Sequence, residues 1–298
     1  MAHRPPVVAG QFYPASENQC RKEVAEYLAA SPASPEEQAW IAESTPMAGI
    51  VPHAGWVCSG AVAAQVIRAV AQSEAIETVV VFGAVHLMAG PRAAVYAAGY
   101  WQTPLGETAI DEELACSVIA ASPIVVEDHS AHNAEHSIEV QLPFVQYVAP
   151  SARLLPIMVP PSPTAHQVGQ VVAEQARSLG RKAVFLGSTD LTHYGPRYRF
   201  TPQGEGPDAL KWAKDVNDRR IIDLCLRLSA EEIVAEAGRH HNACGGGAIA
   251  ATLGAARTCG ATRVWLCRHT TSAEVLRDRL GKMADAVGYT GILFAPEP

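Results

Sequence analysis

Residues 48–87 read AGIVPHAGWVCSGAVAAQVIRAVAQSEAIETVVVFGAVHL, and this stretch decides the fold class. It begins with Ala48–Pro52 (AGIVP) and closes on Thr78–Gly83 (TVVVFG), two short apolar runs without the alternating polarity of a half-exposed strand. Continuous Val, Ile and Phe suit strands buried on both faces of a sheet. Between them, Gly60–Gln72 carries small and apolar residues at helical spacing, so the whole reads as strand, helix, strand. The same rhythm continues outward. Strands are expected at Ile124–Glu127, Leu154–Val159, Ala183–Gly187, Val264–Cys267 and Gly291–Ala295. Helices are expected at Glu23–Ala30, Asp111–Ala121, Ile138–Tyr147, Thr164–Leu179, Ala209–Leu226 and Gly246–Arg257. The pattern predicts an α/β fold with a mixed, mostly parallel sheet flanked by helices on both sides. Neither a repeat nor a long linker interrupts residues 1–298, so a single domain is expected, with residues 1–45 as an arm or flap over it.

Composition removes several functional classes. Twenty-three basic against thirty acidic side chains leave a net charge of −7. That balance offers no electrostatic footprint for nucleic acid and no polybasic membrane patch, and 6% aromatic content argues against base-stacking platforms. Seven cysteines, an odd number without a CxxC pair, read as reduced thiols of a cytoplasmic protein rather than a disulfide framework. Core packing is expected for all of them but Cys244. The N-terminal residues lack the apolar run of a signal peptide, and no stretch reaches eighteen uninterrupted apolar residues.

In an open α/β sheet, ligands gather beyond the carboxyl ends of the strands. His53 follows AGIVP, His86 lies three residues after TVVVFG, and Asp190 and His193 follow AVFLG in STDLTHYG. Three strand ends that each deliver a metal-capable or acid–base side chain favour a site over coincidence. EHSIEVQLPF adds Glu135 and His136 at the start of a helix, where Ser137 could cap and where Glu135 and Glu139 would favour the helix dipole. HHNACGGGAIA places Cys244 before a glycine-rich helix start, a setting that favours thiolate and hence metal ligation; read alone, a small buried residue is the plainer account. His129 and His132, in a polar segment, read as solvated, and His269 has no partner motif. Nucleophile elbow, Walker and dinucleotide fingerprints are all missing.

Taken in order, RPPVVAGQFYP, PHAGWVCSG, GAVH, TPLG, EHSIEVQLPF, STDLTHYG and CGGG resemble the Memo family, called AmmeMemoRadiSam system protein B in prokaryotes. The resemblance runs from residue 4 to about residue 295. Departures are modest: GAVH stands for the usual GP-S-H, Trp56 for a common Tyr, and STDLTH for SSDF-H. The family fold is similar to that of class III extradiol ring-cleaving dioxygenases, and the resemblance implies roles. His53 and His86 match two metal-binding histidines, and Cys244 matches the third ligand, where true dioxygenases carry a carboxylate. His193 falls at an acid–base histidine, His136 at another pocket histidine, and Asp190 at an acidic pocket residue. Tyr194 and Trp101 are expected to contact substrate.

This donor set suits non-haem Fe(II) that binds substrate and dioxygen together; His₂Cys with water equally suits zinc, and thiolate softness admits copper. The expected function is a metal-dependent, dioxygenase-like oxidoreductase acting on a catechol-type or other phenolic small molecule. The alternative is a non-catalytic, Memo-type copper- or iron-binding interaction protein, with partners in the AmmeMemoRadiSam system. A zinc hydrolase ranks third, since no HExxH-like helix is present.

Overall fold

The computed structural model describes residues 2–72, 76–87 and 90–297. Its strands are β1 (His3–Arg4), β2 (Ala48–Val51), β3 (Thr78–Gly83), β4 (Ala93–Val95), β5 (Tyr100–Thr103), β6 (Gly106–Ala109), β7 (Val125–Glu127), β8 (Arg153–Met158), β9 (Ala183–Ser188), β10 (His193–Tyr194), β11 (Ala261–Thr271) and β12 (Ala286–Pro296). The main helices are α1 (Glu17–Ala30), α2 (Pro35–Ser44), α3 (Trp56–Val70), α4 (Glu112–Ala121), α5 (Leu142–Val148), α6 (Ala165–Ser178), α7 (Pro207–Trp212), α8 (Arg219–Leu226), α9 (Ile233–His240) and α10 (Gly246–Thr258).

One mixed sheet organises the single domain. Its centre is the parallel array β2-β9-β3-β8, extended antiparallel by β12 beside β2 and by β4 beside β8. Strand β11 pairs along the outer edge of β12, and β10 pairs with the start of β12. Every residue of β2 and β3 is buried, which is why these strands carry no alternation. The strand register shows their depth: Val80 faces one layer and Val81 the other. Val80, Phe82 and Ile50 pack under α4, α6, α8, α9 and α10. Val79, Val81 and Val51 pack under α1, α2, α3 and α5. Full burial of each such side chain stabilises the fold by about 1.5–3 kcal/mol.

Local chemistry sets the boundaries. The Asp111 carboxylate accepts from the Leu114 amide and starts α4. Ser34 does the same for α2, with Pro35 at the first helical position. The segment expected as one helix over 209–226 is instead α7, a π-helical turn at Ala213–Asp218, and α8. The helix expected from Ile138 begins with a 3₁₀ turn at Glu139–Gln141.

Residues before 45 pack into the body. Strand β1 joins β5 and β6 in a small separate sheet. Cys20, Val24, Trp40 and Ile41 are buried in the second core layer. Arg4 makes a buried ion pair with Glu139 (Nη1–Oε2, 2.9 Å) and donates to the carbonyls of His132 and Glu135. Glu139 in turn accepts from the amides of Val7 and Val8 and from the Tyr13 hydroxyl. Glu139 is therefore not a helix-dipole residue, as its sequence position implied; a fully buried carboxylate needs a cation and several donors, and the N-terminal segment supplies them.

Two further sequence expectations are corrected. His132 is buried, not solvated: Trp101 and Tyr96 meet it edge to face, and Nε2 donates to the Ala94 carbonyl. Cys116 is exposed on α4 rather than packed in the core. Among the described residues, no helix is long and apolar enough to cross a membrane.

Candidate metal centre

The carboxyl ends of β2, β3 and β9 open onto one place. His53 leaves β2, and its amide donates to Asp190 Oδ1 at 2.8 Å. Its Nδ1 lies 2.9 Å from Ser188 Oγ, at the end of β9. That hydroxyl already donates its proton to the Ser137 carbonyl (2.7 Å) and also accepts from Gln141 Nε2. It can therefore only accept from His53, so Nδ1 carries the proton and Nε2 is bare. Burial, followed by the neighbouring His86 and His136, pushes the His53 pKa well down and keeps the ring neutral.

His86 is held by Glu135. Its ring Nδ1 lies 3.0 Å from Glu135 Oε1, and its amide donates to Oε2 at 2.9 Å. The pairing leaves Nε2 turned away from Glu135. Burial opposes the imidazolium, but hydrogen bonds to Cys244 and Glu135 outweigh it and push the pKa up to about 10. Burial likewise raises Glu135, yet the His86 ring, the His86 amide and the Ser137 amide prevail and hold the carboxyl well below the usual range. Glu135 thus supports His86 rather than capping a helix, and Ser137 Oγ donates to the Ala84 carbonyl instead of capping.

His136 completes the cluster. Its ring stacks on His86 (centroids 4.9 Å, 15° between planes), and His53 stands edge-on to both, at 5.0 Å from His86 and 5.5 Å from His136. One nitrogen from each of the three lies within 4.8 Å of the others. Cys244 Sγ sits 3.3 Å from His53 Nε2, in the loop before α10, and accepts from the Asp190 amide. Metal bonds of about 2.0–2.3 Å separate tetrahedral donors by about 3.4–3.8 Å. Small inward movements would bring the three imidazole nitrogens to that spacing, and Cys244 Sγ already lies at about that distance from His53 Nε2. Bare or displaceable imidazole nitrogens and a thiol, each oriented by a carboxylate, hydroxyl or amide behind it, fit a divalent metal.

The remaining expected residues are placed differently. Asp190 is buried, with Oδ1 turned to the His53 amide, so it braces the His53 loop; burial raises its pKa despite the charge of nearby His193. His193 donates from Nδ1 to the Leu191 carbonyl (3.0 Å), and its ring meets Tyr198 edge to face. Trp101 and Tyr194 are not brought to the cluster. Trp101 is fully buried beneath the Arg4 guanidinium, 4.0 Å from its ring. The Tyr194 hydroxyl donates to the Gly204 carbonyl, with its ring packed by Phe200 and Trp212. Sequence reasoning missed Ser188 and Gln141, which set the His53 tautomer; only the position of Ser188 at the end of β9 hinted at it.

The family model described as Memo-like protein matches residues 4–293. A MEMO1 family protein of Pyrococcus abyssi is 38% identical over 302 residues, covering 97% of this chain and 98% of its own. One from Thermococcus onnurineus is 36% identical, covering 98% and 99%. Among solved structures, an uncharacterised protein of Escherichia coli K12 shares the fold, with a TM-score of 0.50 at 12% identity over 83% of this chain and 98% of that one. With residues 4–293 matched by the family model and 97–98% of its length covered by these relatives, the chain belongs to the Memo family.

Proposed function

We propose that this protein is a metal-dependent oxidoreductase of the extradiol dioxygenase type, acting on a catechol-type or other phenolic small molecule with dioxygen as co-substrate. The convergence of His53, His86 and His136 with the Cys244 thiol carries this reading. Iron(II) is the favoured metal, ahead of copper and zinc, and when bound it supplies redox chemistry with dioxygen. His53, His86 and Cys244 would hold it, with His136 beside them. His193, whose Nδ1 is engaged by the Leu191 carbonyl, would take the phenolic proton through Nε2 and return it as general acid. A groove of about 690 Å³ opens on the far side of Phe12, lined also by Tyr27, Gly55 and Trp56 but by neither the cluster's histidines nor Cys244. Phe12 packs against the His136 ring at 4.7 Å and offers an apolar wall to an aromatic ligand. The unpaired cysteines support a reducing, cytoplasmic setting.

The thiol favours a second reading, a copper- or iron-binding interaction protein working with other components of the AmmeMemoRadiSam system, because soft thiolate selects Cu(I). Anaerobic reconstitution with Fe(II), followed by oxygen uptake against a panel of catechols, separates the two. Substrate-dependent uptake that falls about 10²–10⁴-fold in His193→Ala supports catalysis. Stoichiometric metal without uptake on any catechol favours the interaction protein.

A further inference from the structure

The π-helical turn between α7 and α8 ends on two adjacent polar residues, Asn217 and Asp218, both fully buried and neither part of the histidine cluster. Such turns insert a residue into a helix and are frequent at functional sites. Here the insertion sends two consecutive side chains inward while α8 keeps Ile221, Ile222 and Leu224 in the core. Asp218 Oδ1 accepts from the Thr192 amide at 2.9 Å, next to His193. Asp218 Oδ2 lies 3.0 Å from His269 Nε2, on β11. Asn217 Nδ2 donates to Thr192 Oγ1 (3.1 Å) and to the His240 carbonyl (2.9 Å), while the Asn217 backbone carbonyl accepts from Asn242 Nδ2 at 3.0 Å.

These bonds brace from behind two loops that also touch each other directly. One, after β9, carries Asp190 and His193; the other, after α9, carries Cys244. Where the loops meet, Leu191 and Ala243 form a β-bridge, and the Cys244 amide donates to the Asp190 carbonyl at 3.1 Å. The clamp extends to β12, where a Cβ at Gly288 would fall 2.1 Å from Asp218 Oδ2. Only glycine lets the carboxylate lie flat against that strand.

We propose that Asn217 and Asp218 are positioning residues that lock the His193 loop to the Cys244 loop and so hold the thiol against His53 and His86. The inference rests on the metal-centre reading and adds to it a specific source of the thiol's placement. Residues that orient metal ligands from behind typically govern affinity by about 10–100-fold, yet these two touch no ligand directly. Their effect passes through the backbone of both loops.

Cobalt(II) titration of the full-length, metal-free protein tests this, with two readouts: bound cobalt by equilibrium dialysis, and thiolate-to-cobalt charge-transfer absorption. Wild type should bind cobalt with that absorption, and Cys244→Ser should bind without it. Asn217→Ala, folded by circular dichroism, should keep cobalt on the histidines but lose most of the thiolate absorption, with affinity about tenfold weaker. Adding Asn217→Ala to Cys244→Ser should cost nothing more, since both act on one contact. Should Asn217→Ala fail to fold, Asn242→Ala carries the same expectation, because it leaves the Thr192 contacts in place and frees only the Cys244 side. A folded Asn217→Ala or Asn242→Ala chain with wild-type absorption and affinity would overturn the proposal alone. Wild type that binds cobalt without thiolate absorption also overturns it, and wild type that binds no cobalt overturns the metal-centre reading as well.

Discussion

Single atoms decide whether the histidines can act as ligands. The Ser188 hydroxyl has one proton, already donated to Ser137, so it fixes the proton of His53 on Nδ1. Ser188→Ala removes that constraint and leaves a buried Nδ1 without a partner. Metal affinity is expected to fall about 10–100-fold with the fold intact, measured by competition with a chromophoric chelator. The same logic applies to Glu135, which grips both the ring and the amide of His86. None of this was legible from spacing. The strand-end positions of His53 and His86 marked the place, and resemblance supplied the ligand roles. Sequence alone could not show that Glu135 faces His86 or that Asp190 turns to a backbone amide, because both depend on contacts between distant segments.

Elements brace the site from outside, and two of them expose measurable energies. The Arg4–Glu139 pair fastens β1 to the 3₁₀ turn that follows His136. Removal of one partner strands a buried charge, so Arg4→Ala should destabilise the protein by about 3–5 kcal/mol, read from urea unfolding. His132, in the segment just before Glu135, offers a pH signature. Burial, helped by the nearby Arg4 charge and opposed by the Ala94 hydrogen bond, pushes its pKa down to about 3. The unfolded ring titrates near 6.5. Below that pH the unfolded chain takes up a proton that the native state refuses, so this contribution is complete above about pH 6.5 and is lost as pH falls toward 3. The slope approaches about 1.4 kcal/mol per pH unit. His132→Gln should flatten the stability profile between pH 6 and 4; an unchanged profile would show that the ring titrates normally. Elements were unevenly legible. β3 is seen with the bounds expected from TVVVFG, because an uninterrupted valine run has only one burial solution. Helices α2 and α9 were missed, being short, at ten and eight residues. The π turn was hidden because α7 and α8 continue one another along the chain.

Over the whole molecule, the sheet places its strand ends together only if both helical layers close tightly on it. Helices α6 and α10 cross at Gly169, where a Cβ would fall 1.7 Å from the Ala251 carbonyl oxygen. Alanine in a helix ordinarily gains about 0.5–1 kcal/mol over glycine, but here it must push the helices apart. Gly169→Ala should therefore lower stability by about 1–3 kcal/mol, seen as a lower urea midpoint with unchanged slope. The layered plan itself was readable from alternating strands and helices, while strand order was not, since crossovers leave no local trace. On the proposed reading, this plan delivers one metal centre built on His53 and His86. The most direct test is elemental analysis of anaerobically Fe(II)-loaded protein after desalting, beside the His53→Ala/His86→Ala double variant. Stoichiometric iron on wild type and none on the folded double variant is the expected result; equal occupancy of the two, or an iron-free wild type, would contradict it.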